Sequence, residues 1–382
     1  MDGPQLRVLF IVYRDFMNPS AVGGDFYLWE LAKGLSNLGN HVTIICSSFP
    51  DSKKREVIDG VEFVRLKGVW SLPFKILKMY IKRLKGNFDV VVEEAIGGQR
   101  FPFFCTVYVK EPLVAVWHQK HDKIFHEQYS YPVAAVLSFF EFFQARLYRK
   151  RTIINPSKGA REKLATLGFD RESIRVIYDG VGGLFDNAKM SEERENVIVW
   201  LGKIRRYKRP DHAIMALAEV IKKTNENYTL VIAGKVSEID ADYVDELRGL
   251  AENLDVSDNV EFRFNISEAE KLDLLERASV LVQPSPVEGF SIVVMEANRC
   301  GTPVVVSDGV PGDVVINGHN GLVYPYGDIE AFSDALTKLF VDKELWTKLS
   351  KNAFSWAQNF TWEKSALKFD HLLNDTLSLN EA

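Results

Sequence analysis

Cysteine is scarce in this chain, with three among 382 residues, at Cys46, Cys105 and Cys300. They stand far apart, each in or beside an apolar or strand-like segment, so they offer neither a disulfide framework nor a thiolate ligand set, and a reducing cytoplasm is compatible. Excess charge is missing too. The 47 basic and 52 acidic residues leave a net charge of -5, without the broad cationic field that a nucleic-acid partner demands, and no nucleic acid is expected. Long apolar runs are also lacking. Lys110, Glu111 and Pro112 interrupt the stretch from Phe101 to Trp117, and the apolar part from Val133 to Phe143 is too short to span a bilayer. The opening Met-Asp-Gly-Pro-Gln-Leu-Arg has neither the basic region nor the long apolar stretch of a secretion signal, which predicts a cytoplasmic protein. No Gly-x-Gly-x-x-Gly fingerprint follows the first strand, which argues against a dehydrogenase.

What is present is ample core material: 46% of the residues are apolar, enough for two ordinary domains. Residues 6–12 read as a buried strand, 26–38 as a helix and 41–46 as the next strand. Further strands are predicted at 61–66, 89–92, 113–117 and 152–155, alternating with helical segments as in a mostly parallel sheet. A second series runs through the strands beginning at Val197, Tyr228, Ser279 and Thr302. The polar stretch from Asn187 to Asn196 separates the two series. The expected division is therefore a first domain at 1–183, a linker at 184–196, a second domain at 197–350, and a terminal helical segment at 351–382 that packs back toward the first domain. Two such α/β domains facing one another would form a cleft at the carboxyl ends of their strands.

Three motifs carry chemistry. Gly23-Gly24 follows the first strand, where small residues permit close backbone approach at a helix start. Gly202-Lys203 opens a basic turn with Arg205 and Lys208. The segment Ser285-Pro-Val-Glu-Gly-Phe-Ser carries Glu288 in a loop and leads into a helix carrying Glu296. Carboxylates there accept hydrogen bonds from ribose or hexose hydroxyls, while amides around Gly289, Phe290 and Ser291 at the helix start attract phosphate. Together they suit a nucleotide-activated sugar.

In that order, and with Gly301-Thr-Pro-Val-Val closing the set, the motifs resemble the family-four retaining glycosyltransferases, an α/β class with the GT-B fold of two Rossmann-like domains facing an interdomain cleft. The resemblance covers almost the whole chain. It implies transfer of a hexose from a nucleotide sugar, UDP- or GDP-linked, with retention, no cofactor and no metal; no Asp-x-Asp donor motif is evident. It assigns Glu296 to the donor ribose, Glu288 to the transferred sugar, and Lys208 with Lys203 or Arg205 to the diphosphate. His118, which ends Leu-Val-Ala-Val-Trp-His, matches a sugar-contacting histidine, so His118, Lys208 and Glu288 form the expected catalytic set. Asn155-Pro-Ser-Lys-Gly also matches. The chain departs from the family pattern at Lys203, where arginine is usual, at Asp179-Gly-Val-Gly182, where Asn-Gly-Val-Asp is common, and at Asp313, where glutamate is common.

The acceptor is expected to be a glycan or a lipid-linked molecule. Phe74, Leu77, Ile81 and Leu84 fall on one helical stripe, and Lys75, Lys78, Lys82, Arg83 and Lys85 form a basic edge beside it. Two readings stand: contact with an anionic membrane, aided by the aromatic residues from Phe139 to Phe143, or ordinary packing with a solvated basic edge. Phe354, Trp356, Phe360 and Trp362 read as packing residues of terminal helices. The alternative function is a catalytically silent nucleotide-sugar or glycan-binding protein.

Overall fold

The computed structural model describes residues 5–95, 102–190, 194–236 and 240–381. It divides into two compact units, Met1–Gly180 with Trp362–Ala382, and Val181–Thr361. Phe101, residues 191–193 of the expected linker and the opening Met1–Pro4 lie outside the described residues.

The first unit begins β1 (Arg7–Ile11), α1 (Gly23–Asn37), β2 (His41–Ser47), β3 (Arg55–Ile58) and β4 (Val61–Leu66). It continues through α2 (Leu72–Met79), β5 (Val90–Glu94), α3 (Cys105–Tyr108), β6 (Leu113–Val116), α4 (Asp122–Gln128), α5 (Tyr131–Tyr148), β7 (Thr152–Asn155), α6 (Lys158–Ala165) and β8 (Ile174–Val176). Its eight strands are ordered β3-β4-β2-β1-β5-β6-β7-β8, all parallel except the β3/β4 pair. Continuous apolar strands such as Val90-Val-Val are buried because helices cover both sheet faces.

The second unit holds β9 (Glu195–Leu201), α7 (Pro210–Thr224), β10 (Thr229–Gly234), α8 (Ala241–Asn253), β11 (Val260–Phe264), α9 (Glu268–Arg277) and β12 (Ala278–Gln283). After these come α10 (Ile292–Arg299), β13 (Val304–Ser307), β14 (Gly321–Tyr324), α11 (Ile329–Val341) and α12 (Lys343–Ala357). Its parallel order, β11-β10-β9-β12-β13-β14, is that of a dinucleotide-fold sheet, with the strand sequence reversing between β9 and β12. Loops that follow these two strands therefore share one edge at the switch point.

The last helix, α13 (Trp362–Glu381), belongs to the first unit. Its Phe369, Leu372 and Leu373 join Tyr27, Leu31 and Leu35 of α1 in one buried cluster. The approach is close because of Gly34: a Cβ there would lie 2.3 Å from that of Ala366. The chain thus leaves the second unit at Thr361, and α12 stays behind in it. Within the expected linker, Gly183–Asn187 forms a 3-10 turn with Phe185 buried, and β9 already begins at Glu195.

Candidate functional site

In the second unit the loops after β9 and β12 meet through side chains. Lys208 Nζ lies 2.9 Å from Glu288 Oε1, and Gln283 Nε2, at the end of β12, donates to the same oxygen at 2.8 Å. Gln283 also donates to Ser285 Oγ at 2.7 Å, while the Glu288 amide donates to the Gly309 carbonyl at 3.1 Å. Glycine is required at 309, since a Cβ would sit 2.2 Å from the Ser285 carbonyl oxygen. The Trp200 indole N–H donates to the Lys208 carbonyl at 3.3 Å and fixes the basic turn. Burial works against the Lys208 ammonium, but the Glu288 carboxylate outweighs it and raises the pKa above its usual value, so this lysine stays charged.

Ser291 precedes α10 with φ 79° and ψ 78°, a left-handed conformation that costs a non-glycine residue of order 1–3 kcal/mol. Its Oγ is buried without a partner. Glu296 is also buried, and Lys271 of α9 donates to its Oε1 at 2.7 Å while Oε2 has no partner. Burial raises the Glu296 pKa, against the opposing charge of Lys271. Buried hydroxyl and carboxylate oxygens of this kind can pair with a water or with a polar ligand.

The expected residues do not form one cluster. Lys208 and Glu288 are joined, and Glu296 has its own lysine. Arg205 turns toward Asp240, at 3.8 Å. The Phe290 ring is buried, 5.5 Å from that of Phe360, which withdraws this side chain from a ligand. Gly202 and Lys203 sit against β10, where a Cβ on Gly234 would fall 1.7 Å from the Gly202 carbonyl oxygen. An Asp-x-Asp triplet does exist, as Asp240-Ala-Asp242 at the start of α8. Among the described residues no group of three or more His, Cys, Asp or Glu could hold a metal ion. Gln283 and Lys271 were not anticipated, because a strand-end glutamine and a helical lysine carry no spacing signal.

In the first unit Gly24 and His118 are brought together. A Cβ on Gly24 would lie 2.8 Å from His118 Nε2, which is buried and without a partner. The ring stands edge-on to Tyr27 at 5.5 Å. Asn155 Nδ2 donates to the Trp117 carbonyl at 2.7 Å and steadies the strand end that carries His118. Burial, aided by nearby His121, lowers the His118 pKa to about 4, so the imidazole is neutral near pH 7. Gly23 and Gly24 open α1, whose N-terminus is capped by Asp25 accepting from the Val22 amide at 2.8 Å. His121 instead pairs with Glu141, with Nδ1 2.8 Å from Oε1.

Of the expected stripe, Leu77 and Leu84 are half-buried while Phe74 and Ile81 face out. Helix α2 ends at Met79 and a wider π turn, Tyr80–Leu84, follows; the buried residues of this segment are Leu72, Pro73, Ile76 and Tyr80. Phe74 and Ile81 point outward, 62% and 65% exposed, beside exposed Lys75, Lys78, Lys82, Arg83 and Lys85.

Parallel α/β units with polar side chains gathered at a switch point are the arrangement of a ligand-binding α/β enzyme. Residues 22–182 match the model "Glycosyltransferase Family 4" and residues 185–356 match "Glycosyl transferases group 1". The chain belongs to the family-4 glycosyltransferases. It is similar to the D-inositol 3-phosphate glycosyltransferase of Streptomyces bingchenggensis, 31% identical over 56% of this chain and 50% of that one. That of Kribbella flavida is 25% identical over 91% and 89%. The chain spans only about half the length of the first of these relatives.

Among solved structures, sucrose-phosphate synthase from Thermosynechococcus elongatus superposes with a TM-score of 0.79 at 19% identity, covering 98% of this chain and 100% of that one. Anabaena HepE in complex with UDP and glucose gives 0.75 at 18% identity, covering 97% and 100%. The fold is GT-B.

Proposed function

We propose that this chain transfers a hexose from a UDP- or GDP-linked donor to a glycan or lipid-linked acceptor, with retention and without a metal on the diphosphate. The observation that carries the reading is the Lys208–Glu288–Gln283 cluster at the β9/β12 switch point, within the stretch matching the group 1 model. UDP and glucose bound to HepE support a nucleotide-sugar donor.

In this mechanism the sugar C1–O bond to the diphosphate breaks and a new bond from C1 to the acceptor oxygen forms on the same face. The departing phosphate oxygen takes the acceptor proton. Lys208, held charged by Glu288, stabilises the negative charge that grows on the leaving diphosphate, and the amides at the start of α10 with Ser291 Oγ add donors. Lys203 supplies further positive charge, and Arg205 can do so only by leaving Asp240. Glu296 Oε2 accepts from a ribose hydroxyl while Lys271 holds the other oxygen. Neutral His118, over Gly24, offers Nε2 to a sugar hydroxyl.

A cytoplasmic position at an anionic membrane surface belongs to the same reading, supported by the exposed Lys75, Lys78, Lys82, Arg83 and Lys85. Inositol phosphate belongs in the acceptor panel because the curated relatives are named for it. Gly182, where the family commonly carries an acid, favours a second reading of donor binding without turnover. The test is proton NMR of the anomeric centre in the product, with and without a chelator. An inverted anomer overturns retention, a rate abolished by chelation overturns metal independence, and donor binding without product selects the second reading.

A further inference from the structure

Helix α5 is amphipathic in the reverse sense. Its buried face carries Ala134, Glu141, Gln144, Ala145 and Tyr148, two of them small and three polar. Glu141 accepts from the His121 amide and Nδ1, and the Tyr148 hydroxyl donates to Glu93 at 2.7 Å. Glu141 and Tyr148 thus hold the helix by polar contacts, and Ala145 and Tyr148 pack into the core, while its apolar bulk faces out: Tyr131, Val136, Phe139, Phe140 and Phe143 are between 47% and 76% exposed. A helix on a water-facing surface has the opposite arrangement.

The neighbouring elements extend this face. Tyr80 after α2, Cys105 of α3 and Tyr148 of α5 share one buried cluster on the same side of the sheet. Tyr80 and Tyr108 rings are 5.4 Å apart, and Thr106 Oγ1 donates to the Leu147 carbonyl at 3.4 Å, so α2, α3 and α5 form one layer. On its outer side Trp70, Phe74, Ile81 and Val107 are 62% to 78% exposed. Charge is predominantly positive here in a chain that is acidic overall, with Glu111 bordering the segment where it accepts from Tyr80 and the Gly86 amide. Between Leu66 and Phe88 stand Lys67, Lys75, Lys78, Lys82, Arg83 and Lys85 and no acid, and the one acid of α5, Glu141, is buried. A second copy docked on this face would bring like charges together, whereas an anionic bilayer supplies the opposite charge and an apolar interior. Trp70, Tyr129 and Tyr131 are the residue types that sit at headgroup level. Among the described residues no helix is long and apolar enough to cross a membrane, so the helix would lie in the plane.

We propose that α5 is the element that enters an anionic phospholipid bilayer, lying in the interface with its phenylalanines among the acyl chains while the basic α2 segment contacts the headgroups. The proposal rests on the membrane-surface reading above and deepens it by naming the inserting helix. It predicts two separable components of binding, an apolar one that survives salt and an electrostatic one that does not.

The test is co-sedimentation of the full chain with vesicles of phosphatidylcholine, alone or mixed with phosphatidylglycerol, at about 0.1 M and about 1 M salt. The wild-type chain is expected to bind the mixed vesicles at least tenfold better than the neutral ones at low salt and to retain measurable binding at high salt. F139S/F140S/F143S should lose at least tenfold at both salts. K75Q/K78Q/K82Q should lose about a hundredfold at low salt, at roughly fivefold per cation, and little at high salt. These side chains are exposed, so melting temperatures should stay near wild type. Wild-type failure to bind mixed vesicles at low salt overturns the proposal, as does undiminished binding by the phenylalanine variant. A dimer in sedimentation velocity that this variant dissolves, with vesicle binding unchanged, makes a second copy the occupant instead. UDP and GDP binding measured on the same preparations reads the glycosyltransferase proposal separately: vesicle binding without nucleotide binding sinks that reading and leaves this one standing.

Discussion

Gly24→Ala is the substitution whose effect follows most directly from geometry. The added Cβ would meet His118 Nε2 at 2.8 Å, Cδ2 at 3.1 Å and Cε1 at 3.2 Å, where ordinary contact begins near 3.4 Å. The ring must retreat by about 0.6 Å, yet Tyr27 stands against it and Asn155 holds the strand end before it. Overpacking of this kind costs about 1–3 kcal/mol, and replacing glycine in a helix returns about 0.5–1 kcal/mol. A net loss of about 1–2 kcal/mol corresponds to a melting temperature roughly 2–8 °C lower for a unit this size. With His118 on the sugar, as proposed, the rate should suffer more than stability, because a misplacement approaching 1 Å at a reacting centre costs up to about a hundredfold. Differential scanning fluorimetry and a transfer assay on G24A, H118A and the double variant separate the two effects. The double variant should regain the melting temperature lost by G24A while transfer stays low. Wild-type activity in G24A, or no recovery of stability in the double variant, would refute the reasoning.

Other expectations concern charge and close approach. The folded-state His118 pKa is depressed to about 4, so its stabilising contribution is complete above the unfolded value near 6.5 and is lost as pH falls through 4. Urea melts of wild type and H118Q should therefore converge between pH 6.5 and 4, by at most about 3 kcal/mol; parallel curves would contradict the burial of a neutral ring. Glu93 behaves in the opposite sense. Burial raises its pKa to about 7, so its contribution is complete below about 4.5 and is lost as pH rises through 7. Glu93→Gln should then be more stable than wild type in urea at pH 8 and closer to it at pH 5. Lys271→Met removes the cation holding Glu296, and donor KM should rise about tenfold with a smaller change in kcat; an unchanged KM would detach Glu296 from the donor. Gly234→Ala, with its Cβ 1.7 Å from the Gly202 oxygen, should destabilise the second unit by about 3 kcal/mol or more in urea melts.

Much of the sheet was legible because buried parallel strands are written as unbroken apolar runs. Leu9-Phe-Ile, Val90-Val-Val and Val304-Val-Val are strands in both the sequence reading and the structure. The strands that escaped are short or at edges. Arg55-Glu-Val-Ile and Val260-Glu-Phe-Arg-Phe keep charged residues because one side faces solvent, and Gly321-Leu-Val-Tyr is only four residues long. Of the site, sequence order could suggest that Lys208 and Glu288 belong together, but not that Gln283 would share the same oxygen. Gln283 reaches Glu288 because β12 ends at that glutamine and the loop turns back on it. For the α2 segment the sequence left an outward stripe and ordinary packing both open; Phe74 and Ile81 face out because Leu72, Pro73, Ile76 and Tyr80 take the buried side. Reverse amphipathicity in α5 was likewise invisible to composition, since it depends on which side Glu141 and Tyr148 take.

The central claim is that the second-unit cluster handles a nucleotide sugar. Its most direct test is mass-spectrometric detection of transfer from UDP-, GDP- and ADP-sugars to lipid extracts, soluble glycans and inositol phosphate, with Glu288→Gln alongside. Glutamine preserves shape and can still accept from Gln283, but it removes the negative charge opposite Lys208, and a loss of about 3 kcal/mol of transition-state stabilisation would slow transfer about a hundredfold. The account predicts a donor-dependent hexose adduct that all but disappears in E288Q. Product formed equally well by E288Q, or no product from any donor with any of these acceptors, would contradict it.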